Sequence, residues 1–118
     1  MTPNPARPAA GAWLCALDDL ADPGSRGFLY RAGEALFLGF VVRCGDAVRG
    51  YIDSCPHAGM PLALLPNRYL TRESDLIVCS SHGALFRPAD GLCVGGPCAG
   101  KSLAPWPVVV DQEAVYTG

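Results

Sequence analysis

An all-β fold is predicted for this chain by three features: abundant turn-forming residues, short apolar runs, and a scarcity of helical periods. Of its 118 residues, 14 are glycine and 11 are proline, and that density favours many turns between short extended segments. Half of the residues are hydrophobic and 17% are charged, the balance of an ordinary globular protein. The length suits one domain with a modest core.

The elements follow in chain order. Residues 1–11 read as a disordered tail, because Pro3, Pro5 and Pro8 obstruct regular structure. The domain is expected over residues 12–118. Residues 12–17 are a short apolar run with β character, and Asp22-Pro23-Gly24 is a turn. Residues 34–42 are apolar and aromatic, residues 48–52 are β-prone, and Cys44-Gly45-Asp46 between them has hairpin chemistry. Residues 76–78 and 84–86 flank Cys79-Ser80-Ser81-His82, and Asp90-Gly91 marks another tight turn. Residues 106–110 and 114–116 close a final hairpin. A weak helical signal is confined to residues 61–72.

Composition narrows the function classes. The formal net charge of −2 offers no electrostatic support for a nucleic-acid partner. The N-terminal stretch is rich in Pro and Ala and lacks the apolar block of a signal peptide. The longest apolar runs fall far below membrane-spanning length. The expected compartment is the cytoplasm, where cysteines more often bind metals or react than form disulfides. Six cysteines in such a chain direct attention first to a metal.

Two loops carry that chemistry. One reads Cys55-Pro56-His57-Ala58-Gly59 and the other Cys79-Ser80-Ser81-His82-Gly83, with 21 residues between His57 and Cys79. Each places a thiol and an imidazole close together just after a β-prone run. A strand end followed by a Gly- or Pro-containing loop is a good mount for ligands, since the sheet fixes where the loop begins.

Cys-x-His followed by Cys-x-x-His, each with a glycine within two residues, resembles the signature of the Rieske family. The resemblance continues through Met60-Pro61-Leu62, Ala84-Leu85-Phe86, the Asp90-Gly91 turn and Gly96-Pro97, and covers roughly residues 12–117. The gap between the loops is longer than in many relatives, which implies an extended connection around residues 67–74. The resemblance implies antiparallel sheets with an inserted cluster-binding subdomain at about residues 53–100. It also implies one [2Fe–2S] cluster per chain, held by Cys55, His57, Cys79 and His82, with each loop giving one Cys to one iron and one His to the other.

Charge explains why such ligands suit the group. Two ferric irons, two sulfides and two thiolates balance to zero, whereas four thiolates leave a dianion. An electron adds more readily to the neutral form, so His₂Cys₂ ligation raises the potential above the all-Cys case. The second imidazole nitrogen stays available for solvent or a partner. In the family the ligand histidines lie at an exposed tip.

The branch of the family follows from what stands beside the ligands. Respiratory members carry an extra cysteine in each loop, joined as a disulfide; Met60 and Ser81 occupy those positions here. High-potential members use a serine and a tyrosine hydroxyl as donors to sulfur, and Ala84 and Phe86 stand in their place. The chain therefore resembles the ferredoxin and oxygenase-type branch. Its two histidines are both committed, which leaves none for the mononuclear iron of an oxygenase. A Gly-x-Gly-x-x-Gly dinucleotide fingerprint is also missing. The expected role is a non-enzymatic electron carrier between a reductase and an oxygenase or other redox enzyme. Two alternatives remain at this stage, a small subunit of a larger reductase and a structural zinc module.

Among the remaining residues, Cys93 and Cys98 read either as a disulfide beside the cluster or as two packed thiols. A reducing compartment favours the thiols. Cys15 and Cys44 are expected in the core, as are Trp13, Tyr51 and Trp106. Asp53 and Ser54 are candidates for positioning the first loop, although polar residues at strand ends are common without any role. Asp18, Asp19, Asp22 and Asp46 form either a docking face or, more simply, a solvated surface.

Without hydroxyl donors to sulfur, the reduced and more negative cluster loses stabilisation. A redox titration is expected to give a midpoint of roughly −150 to 0 mV. A value above about +150 mV overturns this.

Overall fold

The computed structural model describes residues 4–56, 61–63, 67–71, 73, 75–80 and 83–118. Among them, nine strands form three antiparallel three-stranded sheets. The middle sheet consists of β2 (Gly24–Ala32), β3 (Ala35–Cys44) and β4 (Ala47–Ile52). A second sheet has the order β1 (Trp13–Ala16), β9 (Ala114–Thr117), β8 (Val108–Asp111). The third is small: β5 (Ile77–Val78), β6 (Leu85–Phe86) and β7 (Cys93–Gly95).

The middle sheet is buried on both faces, and the alternation along β3 shows how. Phe37 and Val41 enter a core with Leu14, Cys15, Val48, Trp106 and Val115. Phe40 and Val42 enter another with Tyr51, Cys55, Leu62, Cys79, Phe86 and Cys98. Side chains of period two supply both cores from one strand. A near-continuous apolar run, Ala35-Leu36-Phe37-Leu38-Gly39-Phe40-Val41-Val42, is what such a strand requires.

Two glycines let the first core close. Trp106 is 1% exposed and meets Phe37 and Phe28 edge-on, with ring centroids 5.1 and 5.9 Å away. A Cβ on Gly39 would lie 2.5 Å from the Trp106 ring, and one on Gly50 would lie 2.3 Å from the Trp106 carbonyl oxygen. The Trp106 N–H donates to the Gly50 carbonyl at 2.9 Å. The indole can therefore approach the sheet only where side chains are missing.

Turns behave as their residues dictate. Gly45-Asp46 joins β3 to β4, with Gly45 at φ +64° and its N–H bonded to the Asp22 carboxylate at 2.7 Å. Gln112 and Glu113, at φ +49° and +62°, form the two-residue β8–β9 turn, the backbone twist that short hairpins prefer.

Several expectations need correction. Residues 24–32 form the longest partner of β3, although no strand was expected there. Their signal was the alternation of Phe28, Tyr30 and Ala32, which pack on the first core, hidden behind glycines and arginines. β7 was likewise missed inside a Gly-rich stretch. Residues 4–11, expected as part of a tail, lie against the domain. Ala6 is buried, the Asn4 amide donates to the Leu36 carbonyl at 2.8 Å, and Arg7 sits over the Phe37 ring. Trp13 is 60% exposed and Cys44 is exposed; they are the first residue of β1 and the last of β3, at strand ends where the cores no longer cover them. The described residues of 61–72 carry no helix; Leu70 bridges Ile77 instead.

Because the Gly50 contact is with backbone, Gly50→Ala is expected to cost about 1–3 kcal/mol by overpacking. Urea unfolding should show a lower midpoint with an unchanged slope.

Candidate metal centre

Cys55 lies three residues beyond the end of β4 and Cys79 one residue beyond the end of β5. Both are fully buried and belong to one core cluster. His57 and His82 lie outside the described residues, as do Met60 and Ser81. The sequence-predicted thiols are thus brought into a common interior, in the order the motif requires. Two buried thiols at loop starts are a donor set suited to an iron–sulfur group.

Asp53 ties the first loop to the rest. Its backbone N–H continues the sheet to the Leu38 carbonyl at 2.9 Å. Its carboxylate accepts from the Leu62 N–H and from the Tyr69 hydroxyl, each at 2.8 Å. With only 7% exposure, this carboxylate depends on such donors to offset lost hydration. The Leu62 carbonyl in turn accepts from the Ser80 N–H at 2.8 Å. Leu62 therefore links the carboxylate beside Cys55 to the backbone beside Cys79.

The second loop closes on itself. The Cys79 N–H donates to the Ala84 carbonyl and the Gly83 N–H to the Cys79 carbonyl, both at 2.9 Å. Gly83 sits at φ +73° with open space where a Cβ would be, so backbone conformation selects glycine there. Ala84 and Phe86 are fully buried, and neither offers a hydroxyl.

A third segment approaches from below. Gly96, at φ +88°, comes so near the second loop that a Cβ would lie 2.7 Å from the Ala84 Cα. Cys93 and Cys98 are buried, with Sγ atoms 3.3 Å apart. Burial pushes the Cys98 thiol up to about 12, assisted by Cys93 and then by Cys55, whose sulfur is its other neighbour.

Tyr69 had no sequence signal, because its partners are distant in the chain. It stacks on Phe40 with centroids 4.2 Å apart and planes 3° from parallel. Its backbone N–H donates to the Ser25 hydroxyl at 3.2 Å, and Asn67 accepts from the Gly27 N–H at 2.9 Å. The connection between the loops is thereby seated on the β2 edge. Burial, reinforced by the charge of Asp53, holds the Tyr69 hydroxyl well above the usual tyrosine range, so at neutral pH it remains a donor. Of the acidic residues considered for docking, Asp19 and Asp22 accept backbone N–H groups from Ala16 and Gly45.

Comparison with known proteins agrees with this arrangement. Residues 12–111 match the model of the Rieske [2Fe–2S] domain. No curated protein matches the chain. Among solved structures, it is similar to a chain of the complex of reduced oxygenase and oxidized ferredoxin in carbazole 1,9a-dioxygenase. That match has 26% identity and a TM-score of 0.69, and covers 90% of this chain and 99% of the other. The ferredoxin of carbazole 1,9a-dioxygenase from Nocardioides aromaticivorans IC177 is 24% identical, with a TM-score of 0.69 and coverage of 93% and 98%. The Sphingomonas yanoikuyae B1 ferredoxin is 20% identical, with a TM-score of 0.65 and coverage of 91% and 96%. The last two are likenesses of fold.

Tyr69→Phe removes one of the two donors that the buried Asp53 carboxylate has among the described residues. It is expected to destabilise the protein by about 1–3 kcal/mol, measured by urea unfolding. Stability equal to that of the parent would mean that water replaces the hydroxyl and that Asp53 does not need Tyr69.

Proposed function

The chain belongs to the Rieske [2Fe–2S] domain family, and we propose that it serves as a one-electron carrier whose cluster is held by Cys55, His57, Cys79 and His82. The observation that carries the ligand assignment is the joint burial of the Cys55 and Cys79 thiols in one cluster of core residues, on loops linked through Leu62. The two histidines complete the set by motif. When bound, the cluster takes up and releases a single electron.

The surrounding residues set the conditions for that exchange. Ala84 and Phe86 keep hydroxyl donors away from the sulfurs and line the interior with carbon. The Asp53 carboxylate adds a fixed negative charge two residues from Cys55, which opposes addition of an electron. Both effects favour a low potential within the Rieske range. The bonds from Asp53 to Leu62 and from Leu62 to Ser80 hold the two loops in a constant relation, so little reorganisation accompanies the change of charge.

The donor is a reductase and the acceptor an oxygenase or another redox enzyme. The likeness to ferredoxins, including a chain from an oxygenase–ferredoxin complex, supports this reading. No helix among the described residues is long and apolar enough to cross a membrane. A cytoplasmic carrier that turns over no substrate of its own suits the cysteine usage and the absence of a dinucleotide fingerprint.

Replacement of any single ligand tests the assignment. Cys55→Ala, His57→Ala, Cys79→Ala and His82→Ala should each lower bound iron from about two per chain to near zero. Visible absorption and the EPR signal of the reduced cluster should be lost with it. A variant that retains full iron and an unchanged spectrum removes its residue from the ligand set.

A further inference from the structure

We propose that Cys93 and Cys98 form a reversible dithiol–disulfide couple, a modification site packed against the first cluster loop. Their Sγ atoms are 3.3 Å apart and both side chains are almost fully buried. A bonded pair requires roughly 2.05 Å, so closure needs an approach of about 1.3 Å. The backbone already holds the two ends together. The Cys93 N–H donates to the Lys101 carbonyl at 2.8 Å, the Lys101 N–H to the Cys98 carbonyl at 2.9 Å, and the Gly100 N–H to the Cys93 carbonyl at 3.3 Å. Between the cysteines, Gly95 and Gly96 give the turn the freedom to adjust.

The two thiols are equipped differently. The Cys93 S–H donates to the Gly95 carbonyl at 3.1 Å, and the next residue, Val94, is exposed, so the strand that carries Cys93 lies at the surface although its thiol is buried. Cys98 is buried as well, with both Cys93 and Cys55 as neighbours.

The oxidant class is a low-molecular-weight disulfide such as glutathione disulfide. The Cys93 sulfur attacks one sulfur of the reagent, whose S–S bond breaks and releases one glutathione thiol. The Cys98 sulfur then attacks Cys93 in the mixed disulfide and releases the second. Two protein protons end on the two glutathione thiols, and the two electrons lost by the pair reduce the reagent.

Closure has a consequence that rests on Cys55 being an iron ligand. In the dithiol the Cys98 S–H donates to the Cys93 sulfur and has the Cys55 sulfur as its other neighbour; in the disulfide Cys98 carries no proton for either sulfur. A hydrogen bond to ligand sulfur stabilises the reduced cluster, so the bridged form has the lower midpoint.

The test equilibrates the full-length, cluster-loaded protein in glutathione buffers from reducing to oxidising, followed by acid quenching, alkylation and peptide mass analysis. Under oxidising conditions Cys93 and Cys98 are expected to escape alkylation and to appear in a species lighter by two hydrogens. Reduced glutathione should reverse this, and the midpoint should move negative with bridging. Cys93→Ser should abolish both changes. The proposal is overturned if both cysteines stay alkylatable throughout while iron and spectrum remain intact, or if Cys93→Ser shifts its midpoint as the parent does. A bridge forming in protein that binds no iron supports the couple and refutes the ligand reading instead.

Discussion

The buried carboxylate of Asp53 is the constraint on which the site depends. It terminates the β4 edge with its backbone and then, with its side chain, accepts from Leu62 beyond the first loop and from Tyr69 on the connection to the second. A desolvated charge tolerates little change in its partners. Chain entering, leaving and crossing the centre is therefore referred to one group. Leu62 extends that reference to Ser80, so the beginnings of the two loops share one frame although 23 residues separate Cys55 from Cys79.

That frame needs a rigid floor, and the middle sheet provides it by being covered on both sides. Covering both faces requires close approach, which explains why glycines occur in mid-strand despite their cost there. Gly39 and Gly50 admit Trp106 on one side, and Gly27 admits the Tyr69 ring on the other, where a Cβ would lie 2.5 Å from its hydroxyl oxygen. The same tyrosine that serves Asp53 thus requires a hole in β2. The anchoring of Asp53 and the composition of the strands are two ends of one packing problem.

The all-β class, the β3–β4 hairpin and the final hairpin were legible because turn chemistry and apolar runs are local signals. The paired Cys and His motifs were legible as well, since the spacing of a motif is written along the chain. What escaped was non-local. β2 reads poorly because its glycines and arginines answer to Tyr69 and to solvent rather than to a local pattern. Tyr69 is unremarkable until the fold sets it against Phe40 and Asp53. Trp13 and Cys44 read as inward on residue type, whereas each sits at a strand end beyond the cover of the cores. Asp53 could be suspected from its position, but the two contacts it accepts among the described residues come from 9 and 16 positions away.

The pairing of β1 with β9 has a kinetic side. Trp13 faces Tyr116 in that ladder, whereas the β2–β3 and β3–β4 ladders join neighbours through two-residue turns. Contacts so far apart in the chain carry a large loop-closure entropy and tend to be made late. The nascent hairpins can zip early, while Cys15 and Val115 wait for nearly the whole polypeptide before their side of Trp106 is sealed. Amide protons on β3 should accordingly exchange with solvent most slowly, and those of the ladder that unites the two ends should report the first subglobal opening.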